Sequence, residues 1–253
     1  MKVSILVSVF ICLLSFNSIA SAATKLAPNT YRATSVTGSA QWQDSANGLS
    51  EPLLPDKILP AGAIISTGEA SSVVIVFASG STAVVGEKSQ VVISKFQQEL
   101  FDGVAANEPK GEPSVSQTEI KLNKGTISSR VSKLRPQSTY VIKTPIGAAG
   151  VRGTTFQVVY DPVNKTLAVL TAEGEVVFTS LANVDIPVDG GQEIKIFFDL
   201  DENGNLKILN TINGALTQSK IDDILKLFET LINEAKLLLE PKPTSVILSK
   251  DTL

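Results

Sequence analysis

Ser72-Val73-Val74-Ile75-Val76-Phe77-Ala78-Ser79-Gly80-Ser81-Thr82-Ala83-Val84-Val85 contains two apolar, β-branched runs on either side of a short polar break. Branching at Cβ restricts χ1 in a helix and suits the pleated surface of a sheet, so each run reads as a strand. Gly80 can take the positive φ that a tight turn between them requires. Outward from here the pattern repeats. Val91-Val92-Ile93, Ile120-x-Leu122 and Ile127-x-Ser129-x-Val131 follow, the last two alternating so that one face of each strand meets a core. Further strands are expected over residues 140–144, 155–160, 166–171 and 175–179, with Asp161-Pro162-Val163-Asn164 and Ala172-Glu173-Gly174 as turns. Strands this short, spaced about 8 to 13 residues apart, predict a mainly β body: a sandwich, a barrel, or a β-solenoid or roll-like stack.

Outside this body the pattern changes. Residues 23–52 read as an N-terminal lead-in, and the β domain is expected to span residues 53–180. Within it, residues 97–118 hold Gly103, Pro109, Gly111 and Pro113 and few large apolar groups, which predicts an inserted, mobile surface loop. Residues 181–216 add two β segments, over 192–198 and 206–211. Over residues 217–240, Ile221, Ile224, Leu225, Leu227, Phe228, Leu231, Ile232, Ala235 and Leu238 recur at three- and four-residue steps, which predicts an amphipathic C-terminal helix. Ser219 and Asp222 are placed as its N-cap pair, and Pro241 marks its stop. Such a helix either docks on the β body or serves a partner. Residues 241–253 are expected to be a flexible tail.

Residues 1–22 carry Lys2, an apolar run from residue 5 to 14, and then Ala20-Ser21-Ala22. That order is the order of a secretory signal peptide, cleaved after Ala22, and the run is short of the roughly 20 residues of a spanning helix. Val9-Phe10-Ile11 before Cys12 lacks the small residues of a lipoprotein cleavage site. The mature chain is therefore expected to be periplasmic or secreted, with no membrane span after signal removal. Lys and Arg number 22 against 25 Asp and Glu, a net charge of −3, so no basic excess is available to neutralise a phosphate backbone. Nucleic acid is not an expected partner. The chain has no histidine, and its one cysteine, Cys12, leaves with the signal. Cys/His zinc sites, thiol nucleophiles, imidazole bases and disulfides are thereby excluded from the mature protein.

Lys143-Thr144-Pro145-Ile146-Gly147-Ala148-Ala149-Gly150-Val151-Arg152-Gly153-Thr154-Thr155-Phe156-Gln157-Val158 is the stretch that bears most on function. Pro145 lacks an N–H and ends a ladder; Gly147, Gly150 and Gly153 are expected to let the chain turn sharply before a strand resumes. Arg152 is a lone charge among small residues, placed either to fasten two loops through its planar fork or to meet a ligand. The stretch resembles the signature of the FecR domain, a periplasmic module named after a ferric-citrate uptake regulator. The resemblance extends upstream to Gly62-Ala63-Ile64-Ile65-Ser66-Thr67-Gly68-Glu69-Ala70-Ser71-Ser72 and Phe77-Ala78-Ser79-Gly80-Ser81, and downstream to Leu167-Ala168-Val169-Leu170-Thr171-Ala172-Glu173-Gly174-Glu175-Val176. It implies an extracytoplasmic, solenoid-like β module that binds or transmits rather than catalyses. Regulators of this family resemble single-pass proteins in which a sigma-factor-holding segment and a membrane helix precede the domain. Here a cleavable signal stands in their place, so anti-sigma activity is not carried over.

Other motifs are weaker. Gly147-x-x-Gly150-x-x-Gly153 lacks the dinucleotide spacing, and a β-branched strand follows it where a helix N-terminus would face the pyrophosphate. Asp199, Asp201, Asn203 and Asn205 alternate like the opening of a calcium loop, but the twelfth position is Asn210 and Asn203-Gly204 is a hairpin signal. The two readings are a hairpin and a weak calcium site; no other cofactor is expected. Trp42, the only tryptophan, is either a core plug or a stacking platform. The expected function is a non-enzymatic FecR-domain protein that binds or scaffolds in the bacterial cell envelope, linked to signalling. The alternatives are a polysaccharide-binding or carbohydrate-active module and a soluble relay touching an outer-membrane receptor. The partner is expected to be an envelope protein or a glycan, met through Arg152 or Trp42.

Overall fold

The computed structural model describes residues 30–44, 48–101 and 111–239, so the signal segment and the tail lie outside the described residues. In chain order the strands are β1 (Tyr31–Thr37), β2 (Ala40–Gln43), β3 (Glu51–Pro52), β4 (Lys57–Leu59), β5 (Ile64–Thr67) and β6 (Ser72–Phe77). Next come β7 (Thr82–Val85), β8 (Gln90–Gln98), β9 (Ser116–Arg130), β10 (Thr139–Thr144), β11 (Gly147–Val151) and β12 (Thr155–Asp161). The last five are β13 (Thr166–Glu173), β14 (Glu175–Ser180), β15 (Asp185–Asp189), β16 (Gln192–Leu200) and β17 (Leu206–Ala215), followed by helix α1 (Gln218–Leu239). Among the described residues the molecule is mainly β with one C-terminal helix, and the strands do not close into a barrel.

The pairings sort the strands into two ladders. One runs β4-β1-β6-β7-β9-β12-β13-β16-β17. The other runs β3-β2-β5-β8-β9-β10-β11-β14-β15. Every pair is antiparallel except β9 with β10. Strand β9 belongs to both: residues 116–124 pair in the second ladder and residues 125–130 in the first. The switch falls at Gly125, with φ +89°, where an added Cβ would lie 2.2 Å from Ser89 Oγ. That hydroxyl instead accepts the Thr126 N–H at 2.8 Å, pinning the bend.

Alternating side chains from the two ladders share one core. At its centre Phe77 packs against Tyr31, Phe96 and Tyr140, and Tyr140 packs edge-on against Phe156. Both buried phenols are satisfied: Tyr31 donates to the Pro60 carbonyl, and Tyr140 shares a 3.0 Å hydrogen bond with Ser129. Burial pushes both phenol pKa values well above the ordinary tyrosine range.

Helix α1 covers the outer face of the first ladder. Ile224 and Phe228 are buried against Val84, Leu170 and Ala172, with Ile221, Leu225 and Leu227 around them. This is docking on the β body, one of the two roles open to a helix of that periodicity. Its cap differs from expectation. Thr217, not Ser219, receives the Lys220 N–H on its hydroxyl, at 3.4 Å, and Asp222 and Asp223 fall beyond the first turn.

Three other segments take their places in this body. Within the lead-in of residues 23–52, β1 and β2 pair with β6 and β5 inside the two ladders. Likewise, residues 181–216 extend the same ladders through β15, β16 and β17. The segment of residues 97–118, expected to be a loop, is strand at both ends. Residues 97 and 98 finish β8, residues 116–118 begin β9, and Glu112, Ser114, Ser116 and Thr118 are buried. Polar residues can sit inside when their hydrogen bonds are made there, and Glu112 accepts from Ser116 Oγ and from the Arg135 N–H, each at 2.6 Å. Residues 102–110 lie outside the described set.

Candidate functional site

The 143–158 stretch builds one edge of the molecule, where the chain passes repeatedly between ladders. Strand β10 ends at Thr144, whose hydroxyl donates to the Gly147 carbonyl at 3.0 Å, and Ile146 turns fully into the core. Gly147 is held against Phe178 and Thr179. Gly150 is not a turn residue: it lies inside β11, opposite Val141 and Val177. The turn comes at Arg152-Gly153, with φ +70° at Gly153.

Four connections stack there. After β9 the chain returns to the second ladder through residues 131–138, which is why β9 and β10 can run parallel. Val131 N–H donates to the Thr154 carbonyl at 2.9 Å, and Thr154 Oγ1 donates to the Glu175 carbonyl at 2.9 Å. Gly174 sits so close to Gly153 and Thr154 that a Cβ would meet both at 2.9 Å, and Gly190 packs on Gly174 in turn. Arg152 fastens the stack by donating to the Pro136 carbonyl at 3.2 Å, and Arg135 does the same to Pro113 at 2.8 Å.

The outcome is a cationic rim on an acidic chain. Of the four arginines, Arg130, Arg135 and Arg152 lie at this edge, and Lys133 lies among them. Arg130, Lys133, Arg152, Thr155 and Glu173 line a polar hollow of 470 Å³. Among the described residues Glu173 is its one carboxylate, accepting from Thr155 Oγ1 at 3.3 Å. A second hollow of 390 Å³, with Arg152 between the two, runs over Val141, Ala148, Gly150 and Val177 on the outer face of the second ladder. Among the described residues, no ion pair engages Arg130, Lys133 or Arg152. Sequence reasoning singled out Arg152 and missed Arg130, Lys133 and Arg135. The signal was there, as a basic run at 130, 133 and 135 in a chain poor in arginine.

The other candidates lie elsewhere. Trp42 is half-buried in β2 against the core margin, with Lys57 Nζ 4.4 Å from its ring centre, so one face is already covered. Asp199, next to last in β16, makes a 2.6 Å ion pair with Lys165. Asp201 opens the β16–β17 hairpin and accepts the Asn203 and Asn205 N–H groups, each at 2.8 Å. The Lys165 contact first and the Leu200 N–H second hold the Asp199 carboxyl below the usual range, and the Asn205 N–H leads the same effect on Asp201. Asn203 and Asn205 are bound up in the turn through their own N–H groups, as a hairpin requires.

No curated protein matches the chain. Two crystal structures of a proposed anti-sigma factor from Parabacteroides distasonis ATCC 8503 are similar to it at 12% and 13% sequence identity, with TM-scores of 0.47 and 0.46. Each likeness covers 64% of this chain and 63% or 64% of the other, so the chain spans less than two thirds of either. The family model for FecR protein matches residues 63–177, from just before β5 into β14, and takes in the Arg152 turn with all four cations of the rim. Over these residues the chain is similar to the FecR family.

Proposed function

We propose that this protein is a non-enzymatic, extracytoplasmic FecR-domain module of the bacterial cell envelope, linked to signalling, that binds an acidic surface of an envelope protein through its cationic rim. One observation carries the reading: three of four arginines and Lys133 converge on an edge whose larger hollow holds, among the described residues, a single carboxylate. Arginine's planar fork suits carboxylates, and the stacked turns hold the backbone beneath it so that little ordering is required on binding. The half-covered face of Trp42 favours this over a glycan held by stacking. Among the described residues, no helix is long and apolar enough to cross a membrane.

The test is a pull-down from an envelope fraction with the mature protein and with a variant carrying Arg130→Gln, Lys133→Gln and Arg152→Gln. The wild type should retain a protein that elutes as salt is raised, since exposed charge pairs are screened, and the variant should not. Retention of a glycan, or of the same protein by both forms, would refute it.

A further inference from the structure

Among the described residues each ladder has two outer strands, and three of these four edges are blunted. Strand β3 has two residues and ends at Pro52, and β4 has three, preceded by Asp56 at φ +65°. Strand β15 has Pro187 at its centre between Asp185 and Asp189. Short length, proline and charge are the usual devices against edge-to-edge pairing. Strand β17 is neither short nor interrupted by proline, and its one charge, Lys207, lies at its start. It is ten residues long, exposed along most of its length, and carries neither charge nor proline from residue 208 to its end. Leu209 and Ile212 are 59% and 50% exposed.

The direction of the main-chain groups follows from two hydrogen bonds. Leu216 N–H donates to the Gly191 carbonyl at 2.7 Å, and Phe198 N–H points away from β17, to the Lys165 carbonyl. With antiparallel alternation, residues 210, 212 and 214 exchange bonds with β16, while Thr211, Asn213 and Ala215 aim their N–H and C=O groups outward.

We infer that β17 is a self-pairing edge whose occupant is the β17 of a second copy of this chain. An antiparallel pair with its two-fold axis at Ile212 sets Thr211 against the second copy's Asn213 in a hydrogen-bonded pair. It also brings the two Ile212 side chains together at the closer, non-bonded position. Self-pairing always places like residues near one another across the axis, so a charged strand would repel itself; this segment has no charge to repel. The register also sets Leu209 opposite Ala215. Two strands bury less than the ~1,200 Å² of a stable complex, so the dimer is weak, with Kd on the order of 100 μM.

Sedimentation velocity on the mature chain from about 10 μM to about 1 mM tests this range. The wild type should shift from monomer to dimer across it. Thr211→Pro removes an outward donor and leaves the β16 bonds in place, and Ile212→Lys sets two cations across the axis; both should remain monomeric with unchanged circular dichroism. If the proline variant does not fold, the lysine variant carries the same reading. A wild type that stays monomeric at the top of the range overturns the inference, including one whose edge accepts only a segment of another protein. So does a dimer that persists in both variants.

Discussion

At the residue scale, two glycines of one motif have different work. A Cβ at Gly147 would lie 2.4 Å from Phe178 Cζ and 2.6 Å from the Thr179 carbonyl, whereas at Gly150 the nearest atom is 3.9 Å away. Gly147→Ala should therefore cost about 2 kcal/mol or more in urea unfolding, and Gly150→Ala less than about 1 kcal/mol. Equal losses would show that the Phe178 contact does not constrain the turn. At the hairpin, Asp199 is engaged by Lys165 and Asp201 by turn N–H groups, so calcium at about 1 mM should leave the melting midpoint unchanged. A clear rise would restore the calcium reading. On the outer face of the second ladder, Lys143 pairs with Glu119 at 2.6 Å, and hydrogen bonding to Lys143 is the main cause lowering the Glu119 pKa. Because the folded pKa lies below the unfolded one, the stabilisation is complete above the ordinary glutamate range and is lost as pH falls through the folded value. Glu119→Gln should flatten the fall in melting temperature from about pH 5 downward. An unaltered acid slope would remove this pair as a contributor.

At the scale of elements, α1 is held by a few apolar side chains on the outer face of the first ladder. Phe228 is fully buried there, and the 3.0 Å pair of Lys220 with Glu193 anchors the helix start at an exposed site. Truncating a buried phenylalanine leaves both a transfer loss and a cavity, so Phe228→Ala should cost about 3 kcal/mol. An exposed pair of this kind contributes under about 1 kcal/mol, so Lys220→Ala should change little. Hydrogen exchange should show the Phe228→Ala helix opening while the core strands stay protected; loss of protection throughout would mean that α1 and the ladders form one cooperative unit. Strand β9 is the other decisive element, because its switch at Gly125 joins the two ladders through one continuous backbone.

At the scale of the whole molecule, the two-ladder body puts its crossings along its edges, and function is read from what those crossings expose. The cationic rim and the open β17 edge use different parts of the surface, so the glutamine variants of the rim should sediment like the wild type. Loss of self-association in those variants would mean that the two surfaces are one.

The amino-acid sequence alone determined whatever depends on neighbours in the chain. Cβ branching in β6 and β7 specified strands, the three- and four-residue steps of Ile221, Ile224 and Phe228 specified an amphipathic helix, and the ordered glycine motifs pointed to the FecR domain. Strands that pair without a strong apolar pattern were not legible. Strand β1 alternates only weakly, β15 carries Pro187 between aspartates, and Gln98, Ser116 and Thr118 are polar yet buried. Their place is set by partners far along the chain. Only the tertiary structure decided that residues 130, 133, 135 and 152 share an edge and that β17 is left open, because pairing register and burial depend on contacts that local propensity does not encode.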